Sequence, residues 1–313
     1  MSQPVRIGVI GVGALGQHHA RVYASLPGAT LAGVHDAKPE RAREVAAQYG
    51  GVAYEDLQAL LGAVDAVSLA VPTLAHHRLA KVCLEAGKDV LVEKPMTSTL
   101  AEADDLIATA ARHGRLLQVG HVERFNPAVD VIRSAAPHPR FIEVHRLGAF
   151  PGRSLDIDVV LDLMIHDLDI ILSLESSDPL QIDAVGVPVL TPKVDIANAR
   201  LRFASGLIAN LTASRVSGER VRKFRVFAQG TYVSADLATR EARVYRLVSS
   251  PAGARGLEEE RVAAPDEEPL RRQLAAFVHS TQTRAPVVSG AEGRRALALA
   301  CRILEQMDPR AGQ

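Results

Sequence analysis

Short apolar runs alternate with helix-like segments over the first 120 residues of the chain. The apolar runs cover residues 5–10, 30–35, 65–71, 89–92 and 115–119. Patterns typical of helices cover residues 16–26, 39–49, 73–86 and 100–113. Because continuous apolar strands separated by helices are typical of a parallel sheet covered on both faces, we predict a parallel α/β domain over residues 1–121.

After Gly120 the pattern changes. A long helix is predicted around residues 156–173, and alternating segments that predict an antiparallel sheet follow at 197–203, 207–214, 223–228 and 243–248. Residues 249–268, rich in Pro, Gly, Ala and Glu, are predicted to form an exposed loop before two final helices near 269–282 and 291–306. We therefore predict a second α/β domain over residues 122–313.

The length and composition also fit two soluble domains. The chain has 313 residues, of which 47% are hydrophobic and 23% charged. Lys and Arg total 36, as do Asp and Glu, so the formal net charge of zero favours neither nucleic acid nor an anionic membrane as a partner. Cys83 and Cys301 lie far apart and are expected to be core residues in a reducing compartment.

Two features favour a cytoplasmic location. The first strand begins directly after residues 1–4, which leaves no room for a cleavable leader. The most apolar stretch, residues 155–174, contains acids and a histidine that make a membrane span implausible. These residues are Asp156, Asp158, Asp162, His166, Asp167 and Asp169.

A glycine-rich turn between the first strand and the first helix predicts a dinucleotide site. The turn reads Gly11, Val12, Gly13, Ala14, Leu15, Gly16. In this fingerprint the first glycine permits the tight turn, the second lets pyrophosphate approach the backbone, and the third lets helix and strand pack closely. The helix N-terminus then offers amides to the phosphates. His18 and His19, in the same helix, are expected at the edge of the cofactor or in solvent.

Asp36, at the end of the second strand, favours NAD over NADP. Its carboxylate can accept both hydroxyls of the adenosine ribose and would repel a 2′-phosphate. Lys38 and Arg41 lie close in sequence and weaken this preference, so NADP stays an alternative.

The strand 89–92 runs directly into Glu93-Lys94-Pro95. In an open parallel sheet, ligands bind beyond the carboxyl ends of the strands, so Lys94 is predicted to face a bound molecule. Taken alone, the tripeptide is equally compatible with a surface lysine in a turn.

Asp162 and His166 are four residues apart in the predicted long helix and share one face, which Asp158 and Asp169 extend. Three interpretations stay open: a polar face in solvent, a metal site, and an acid/base site that faces the cofactor. Oxidation of a secondary alcohol needs a group that takes the hydroxyl proton and a cation that stabilises the developing alkoxide. His166 fits the first role and Lys94 the second, and Asp162 would hold either side chain in place.

The chain as a whole resembles the glucose–fructose oxidoreductase/inositol dehydrogenase (Gfo/Idh/MocA) family. The resemblance is carried by the glycine fingerprint, Val71-Pro72-Thr73 with His76, Glu93-Lys94-Pro95, Asp162 with His166, and the C-terminal Glu268-Pro269-Leu270, Phe277 and Ser289-Gly290. It implies a Rossmann domain followed by an α/β domain with an open, mainly antiparallel sheet that often pairs across subunits, and hence a homodimer or homotetramer.

The resemblance also implies roles for individual residues. Lys94 would work with Asp162 and His166 in catalysis. Cofactor contacts would come from the glycine turn, Asp36, Pro72, Thr73, His76, Glu93 and Lys94.

Four further segments, 119–127, 162–167, 193–200 and 210–215, resemble a bacterial subgroup, the UDP-N-acetylglucosamine 3-dehydrogenases. One departure is the bulky stretch 157–161, where many relatives have a glycine-rich segment before the catalytic Asp. The residues expected to contact substrate are His121, Arg124, Asn126, Asp158 and Arg215. For the two arginines, a paired structural charge is the alternative.

Together these features predict an NAD-dependent dehydrogenase that acts on a secondary hydroxyl of a sugar or nucleotide sugar, with C3 of UDP-N-acetylglucosamine as a candidate position. Two alternatives stay open. One is another sugar, polyol or dihydrodiol dehydrogenase of the same family, and the other is a non-catalytic sensor that binds NAD(P). No metal is expected.

Overall fold

The computed structural model describes residues 3–150, 157–249, 255–262 and 267–307. The predicted start of the long helix at residue 156, and residues 250–254 and 263–266 of the predicted loop, lie outside these ranges. Among the helices in the described ranges, none combines the length and the apolar character needed to cross a bilayer. The chain divides into two compact units, residues 1–122 with 268–294 and residues 123–267 with 295–313.

The first unit alternates strands and helices. Its elements are β1 (Val5–Ile10), α1 (Gly16–Tyr23), β2 (Ala29–His35), α2 (Pro39–Tyr49), β3 (Val52–Ala53), α3 (Leu57–Ala63), β4 (Ala66–Leu69), a 3₁₀ turn (Thr73–Ala75), α4 (His76–Glu85), β5 (Asp89–Glu93), α5 (Leu100–Arg112) and β6 (Leu117–Gly120). A further helix, here numbered α8 (Pro269–Thr283), belongs to the same unit.

The six strands form one parallel sheet in the order β3-β2-β1-β4-β5-β6. The order reverses between β1 and β4, and such a switch point is where open α/β sheets bind ligands at their carboxyl edge. The predicted parallel α/β fold is confirmed. The short β3 and α3 were absent from the prediction.

Helix α8 returns from late in the chain to complete the core of the first unit. Leu274 and Phe277 are fully buried among core residues such as Ile7, Val9 and Tyr23. Arg21 on α1 pairs with Glu268, 2.5 Å away, just before α8 begins. The core of the dinucleotide domain is therefore built from two distant stretches of sequence.

The second unit contains a large sheet and the helices that cover it. Its elements are a 3₁₀ turn (Val122–Phe125), α6 (Pro127–Ala135), β7 (Phe141–Leu147), a π-helical turn (Val160–Met164), α7 (Ile165–Leu174), β8 (Gln181–Val187), β9 (Ile196–Arg202), β10 (Ile208–Ser214), β11 (Val221–Ala228), β12 (Thr231–Asp236), β13 (Glu241–Ser249), β14 (Arg255–Val262) and most of α9 (Gly290–Met307).

The eight strands of this sheet lie in the order β14-β13-β12-β11-β7-β10-β9-β8. All neighbours are antiparallel except β7 and β10, which run parallel. Alternate residues such as Ile142 and Val144 face a core that includes residues of α6, α7 and α9. The residues between them face the opposite, open side. The predicted mainly antiparallel sheet is confirmed.

One prediction about this unit was wrong and another needs a correction of detail. The loop predicted over residues 249–268 contains the strand β14, whose polar sequence Arg-Gly-Leu-Glu-Glu-Glu-Arg-Val lacks the apolar alternation of the other strands. The long helix predicted around residues 156–173 is present over residues 160–174, but its first turn, Val160–Met164, is π-helical before it continues as α7. Strands β7, β8 and β12 and helix α6 were not predicted.

Candidate active site

The glycine turn after β1 leaves space where a dinucleotide needs it and none where the helix packs. Gly11 has a φ of +81°, and an added Cβ would lie 2.5 Å from Val71. At Gly16 an added Cβ would overlap the carbonyl oxygen of Gly11. At Gly13, by contrast, no atom lies within 4 Å of the position of a Cβ. This pattern matches the three glycine roles predicted from the sequence.

Helix α1 begins at Gly16 without a side-chain cap from Leu15. The first amides of a helix have no intrahelical acceptors and carry a partial positive charge, so such an end suits a phosphate. Val12 is buried, while Gly13, Ala14 and Leu15 are exposed around the turn. The turn therefore presents backbone amides to solvent at the carboxyl edge of β1.

The carboxylate of Asp36 is held against the glycine turn. It accepts the backbone N–H groups of Val12, at 2.8 Å, and of Lys38, at 2.9 Å. Arg41 donates to the carbonyl oxygen of Val12, at 2.9 Å, and to the side chain of Gln17, at 2.8 Å. Because these contacts direct the Arg41 guanidinium to the turn, Arg41 braces the loop that Asp36 flanks.

Lys94 follows β5 directly and is half-buried at the carboxyl edge of the sheet. The Lys94–Pro95 peptide bond is cis. His76, which is buried, lies with Nδ1 2.9 Å from the carbonyl oxygen of Pro95 and Nε2 2.9 Å from that of Val71. Burial lowers the pKa of His76 despite these carbonyl contacts. His76 thus joins the loop after β4 to the segment that carries Lys94.

Other predicted cofactor residues lie nearby in sequence and structure. Pro72 is exposed and Thr73 is half-buried at the start of the 3₁₀ turn. Glu93 is buried at the end of β5, with its carboxylate 3.1 Å from Nε2 of Gln273 and 3.3 Å from Nε2 of His19. His19 is buried and so does not lie in solvent, and its expected place near the cofactor edge stays a prediction; His18 is exposed.

In the second unit, Asp162 lies within the π-helical turn and His166 in the first turn of α7. Both are half-buried, whereas their neighbours Met164 and Ile165 are buried. π-Helical turns are rare and occur frequently at functional sites. Asp158 precedes the turn, and its carboxylate accepts the N–H of Val194 at 2.9 Å.

The predicted polar face of this helix does not extend to Asp169. Asp169 is buried and accepts both Nε and Nη2 of Arg124, at 2.9 and 2.6 Å. Asp167 is also buried and forms the same two-point pair with Arg146, at 2.8 and 2.7 Å. Asp162 and His166 are thus set apart from two carboxylates that point into the protein.

The remaining predicted substrate residues are buried and have structural contacts. Asn126 caps α6 by accepting the N–H of Ala128 at 3.1 Å, and it donates to the carbonyl oxygen of Leu237 at 2.9 Å. Arg215 donates to Asp195 at 2.8 Å and to the carbonyl oxygen of Ile157 at 2.7 Å.

His121, the last of the predicted substrate residues, is buried directly after β6 in the first unit. For His121, Arg124, Asn126, Asp158 and Arg215, a contact with substrate stays a prediction.

The structure thus gathers the predicted residues into two groups. The glycine turn, Asp36, Pro72, Thr73, His76, Glu93, Lys94 and His121 belong to the first unit, and Arg124, Asn126, Asp158, Asp162, His166 and Arg215 to the second. Within the described ranges, no three His, Cys, Asp or Glu residues are grouped as a metal ion would require. Sequence reasoning did not single out Gln273 and did not predict that His19 and Gln273 contact Glu93, because these residues lie far apart along the chain.

The first unit therefore has the architecture of a dinucleotide-binding oxidoreductase domain. Residues 5–121 match the model of an oxidoreductase family with an NAD-binding Rossmann fold, and residues 139–233 match the GFO/IDH/MocA C-terminal domain. The chain belongs to the Gfo/Idh/MocA oxidoreductase family.

Individual relatives cover nearly the whole chain. The chain is 42% identical over 302 residues to the UDP-N-acetylglucosamine 3-dehydrogenase of Acidithiobacillus ferrooxidans, an alignment that covers 96% of both chains. A solved structure of the enzyme of that name from the same organism superimposes with a TM-score of 0.92, covering 99% of this chain and 100% of the other. An inositol 2-dehydrogenase of Acidothermus cellulolyticus is 32% identical over 192 residues, 58% of this chain and 56% of its own.

Proposed function

We propose that this protein is an NAD-dependent dehydrogenase that oxidises the C3 hydroxyl of UDP-N-acetylglucosamine to a ketone. The observation that carries the proposal is the 42% identity, over 96% of both chains, to a UDP-N-acetylglucosamine 3-dehydrogenase. The glycine turn and Asp36 in the first unit support it, as do Asp162 and His166 beside a π-helical turn in the second.

In the proposed reaction, His166 takes the hydroxyl proton and Lys94 donates to the oxygen as negative charge develops there. Asp162 orients one of these two side chains. NAD, when bound, supplies the ring carbon that accepts the hydride. The alcohol thereby loses one hydride and one proton, and the sugar becomes a ketone.

The contacts of Asp36 support NAD rather than NADP. Its carboxylate lies at the end of β2, fixed by the amides of Val12 and Lys38. A negative charge at this place accepts ribose hydroxyls and repels a 2′-phosphate. The Arg41 guanidinium donates to Val12, Gln17 and Glu44. These contacts hold it against the glycine turn and α2, where it is less available to pair with a 2′-phosphate.

The test is product analysis with purified protein, NAD and a panel of UDP-sugars, inositols, free aldoses and dihydrodiols. We expect NADH formation and a 3-keto product from UDP-N-acetylglucosamine. Oxidation of a free polyol alone would instead support the alternative within the family, for which the bulky stretch before Asp162 is an argument. NAD binding without oxidation of any compound would favour a sensor.

Lys94→Ala tests the catalytic assignment. We expect turnover to fall by about a hundredfold or more, which is typical of the loss of one electrostatic donor in an active site. Lys88→Ala is the matched control, because Lys88 lies at the opposite end of β5 and donates to the carbonyl oxygen of Val64. Undiminished NADH formation by Lys94→Ala would refute the assignment.

We also propose that the protein self-associates through the open face of the eight-stranded sheet and that it is cytoplasmic. Four aromatic rings form a row across β7, β11, β12 and β13 on this face: Phe141, Phe227, Tyr232 and Tyr245. Such a surface on an uncovered sheet supports a contact between copies of the chain, as a dimer or a tetramer.

A further inference from the structure

Arg215, directly after β10, is a large cation that solvent barely reaches, since its side chain is 1% exposed. Its Nε donates to Oδ1 of Asp195 at 2.8 Å, and its Nη2 donates to the hydroxyl of Thr191 at 3.0 Å. Its Nη1 donates to the carbonyl oxygen of Ile157 at 2.7 Å. One guanidinium therefore joins the β8–β9 segment, residues 188–195, to the stretch just before the π-helical turn.

Asp195 in turn fixes the β8–β9 segment. Its Oδ2 accepts the N–H groups of three successive residues, Val189, Leu190 and Thr191, at 2.8, 2.6 and 2.8 Å. The carbonyl oxygen of Asp195 accepts the N–H of Arg215 at 3.0 Å. Because hydrogen bonds to an ionised carboxylate are stronger than those between neutral groups, this segment is held in one conformation against the end of β10.

Val194, in the same segment, makes a two-point contact with the residues before the π-helical turn. Its N–H donates to Oδ1 of Asp158 at 2.9 Å, and its carbonyl oxygen accepts the N–H of Val159 at 2.9 Å. The carbonyl oxygen of Asp158 then accepts the N–H of Asp162 at 3.0 Å. Asp158 thus links the β8–β9 segment directly to the turn that contains Asp162.

The bulky stretch 157–161 is thereby attached to the β8–β9 segment and Arg215 at three successive residues. The attached atoms are the carbonyl oxygen of Ile157, the carboxylate of Asp158 and the N–H of Val159. Val159 and Val160 are also fully buried in the core of the second unit. Glycines in their place would lack these apolar contacts and would have more backbone freedom, so the bulk of this stretch fixes the approach to the π-helical turn.

We propose that Arg215, Asp195 and Asp158 are positioning residues that hold the start of the π-helical turn in one place. They thereby fix Asp162 and His166, which the turn and α7 carry. A displacement of a catalytic group by about 1 Å can cost about a hundredfold in rate, so this support bears directly on turnover. The role differs from the substrate contact predicted for Asp158 and Arg215. The inference deepens the proposed function and rests on it for the roles of Asp162 and His166.

The first experiment needs no substrate. Amide hydrogen exchange of residues 160–166 is followed by mass spectrometry of peptic peptides in wild type, Asp158→Ala and Lys193→Ala. Lys193 is an exposed residue of the β8–β9 segment, so Lys193→Ala is the matched control. We expect exchange over residues 160–166 to be at least threefold faster in Asp158→Ala and unchanged in Lys193→Ala, with β1 unchanged in both. A rate over 160–166 that matches wild type in Asp158→Ala, or that rises only as much as the rate of β1, would overturn the proposal.

The second experiment applies the same measurement to Arg215→Lys. Lysine leaves Asp195 with a buried cation, but it lacks the planar fork with which arginine donates to Asp195, Thr191 and Ile157 together. We expect exchange over residues 160–166 to be at least threefold faster than in wild type. Wild-type exchange over these residues in folded Arg215→Lys would contradict the role of Arg215. If this variant does not fold, Asp158→Ala still tests the proposal, because Asp158 is only half-buried.

The third experiment compares catalysis in Asp158→Ala and Asp158→Asn. The side-chain oxygen of asparagine can still accept the N–H of Val194, whereas alanine cannot. We expect Asp158→Ala to lower kcat at least tenfold and Asp158→Asn to restore it to within threefold of wild type. The Kd for NADH should stay within threefold in both, because the predicted cofactor residues belong to the first unit.

Equal losses of kcat in the two variants would show that the charge of Asp158 is needed rather than its hydrogen bond to the β8–β9 segment, and would contradict the positioning role. An undiminished kcat in Asp158→Ala would contradict it as well. Because hydrogen exchange needs no sugar, the first two experiments test the inference even if the proposed substrate is not oxidised.

Discussion

Gly13 and Gly16 lie three residues apart in one turn but meet opposite surroundings. A methyl group at Gly16 would overlap the carbonyl oxygen of Gly11, whereas one at Gly13 would meet no atom within 4 Å. Gly16 is thus required by the packing of the protein itself, whereas at Gly13 the protein leaves room for a side chain and the need for glycine is predicted to come from the dinucleotide. A substitution at Gly16 is therefore expected to affect stability, and one at Gly13 to affect cofactor binding.

We expect Gly13→Ala to keep the melting temperature of the wild type and to weaken NAD binding by about tenfold or more. Gly16→Ala should instead lower the free energy of unfolding by about 1–3 kcal/mol, the usual cost of overpacking. Calorimetric titration with NAD and thermal unfolding of both variants check this pair. An equal fall in melting temperature for the two variants would contradict the conclusion that only Gly13 has room for a methyl group.

At this scale the sequence was informative wherever a role depends on local spacing. The glycine turn and Asp36 are set by positions along one strand–turn–helix unit, so their placement could be predicted. The partners of Arg124 and Arg215 could not, because Asp169 and Asp195 lie 45 and 20 residues away along the chain. No periodic pattern indicates which buried charge meets which.

Helix α7, which carries His166, is fixed by buried charges at its inner side. Arg146 on β7 contacts Asp167 of this helix at 2.7 Å and Glu123 at 2.9 Å. Burial alone would lower the pKa of Arg146, but the two carboxylates outweigh burial and raise it. The position of His166 therefore depends on a charged network that the solvent does not reach.

We expect Arg146→Met to lower the free energy of unfolding by about 3–5 kcal/mol, because it leaves buried carboxylates without their cation. Arg225→Met is the matched control on the adjacent β11. Arg225 pairs with Glu143 at 2.7 Å, but both side chains are about one-third exposed, so a loss of about 1 kcal/mol or less is expected. Urea unfolding measures both, and similar losses would contradict the prediction.

The segment between β8 and β9 is organised by a single carboxylate. Asp195 is fully buried and accepts the N–H groups of Val189, Leu190 and Thr191 and a bond from Arg215. Burial alone would raise the pKa of Asp195, but these donors outweigh it and hold the pKa well below the usual value.

This depressed pKa predicts a loss of stability in acid. An unfolded Asp takes up a proton near pH 4, whereas folded Asp195 stays ionised to lower pH, so its contribution is full at pH 7 and is lost as the pH falls through the folded pKa. We expect the stability difference between wild type and Asp195→Asn to shrink steadily below about pH 4. Urea unfolding from pH 7 to pH 3 checks this, with Asp183→Asn, an exposed residue, as the control. A constant difference would contradict it.

Among the elements, long and patterned segments could be predicted and short or polar ones could not. Strand β3 has two residues, and α3 has seven, although its N-cap Asp56 was an available signal. Strand β14 has no apolar alternation because it is an edge strand with polar side chains. The π-helical turn depends on an extra residue in the helix, which no apolar period of 3.6 indicates.

On the scale of the whole molecule, the open sheet face determines how copies of the chain are expected to meet. Phe227 stacks on Tyr232 with ring centroids 4.6 Å apart, and Tyr232 on Tyr245 at 5.2 Å. The three residues are direct cross-strand neighbours. The stacked rings therefore form continuous aromatic area on the face through which we propose that copies of the chain meet.

If the protein self-associates as proposed, we expect Tyr232→Asp to convert the oligomer to a monomer, because it places a charge in the middle of this row. Leu74→Asp, at a residue of the first unit that is 84% exposed, should leave the assembly unchanged. Sedimentation velocity at micromolar concentration measures both. A wild-type protein that sediments as a monomer, or an unaltered Tyr232→Asp oligomer, would contradict the proposed interface.

The return of α8 to the first unit limits how the gene can be divided. A fragment that stops near residue 122 would lack Leu274 and Phe277. Its remaining core residues would then be exposed to solvent as an apolar surface. An independently expressed half would need residues 268–294 grafted on through a designed linker. Because residues 123–267 and 295–313 form the second unit, with residues 268–294 of the first unit between them, neither unit can be exchanged by a single cut in the gene.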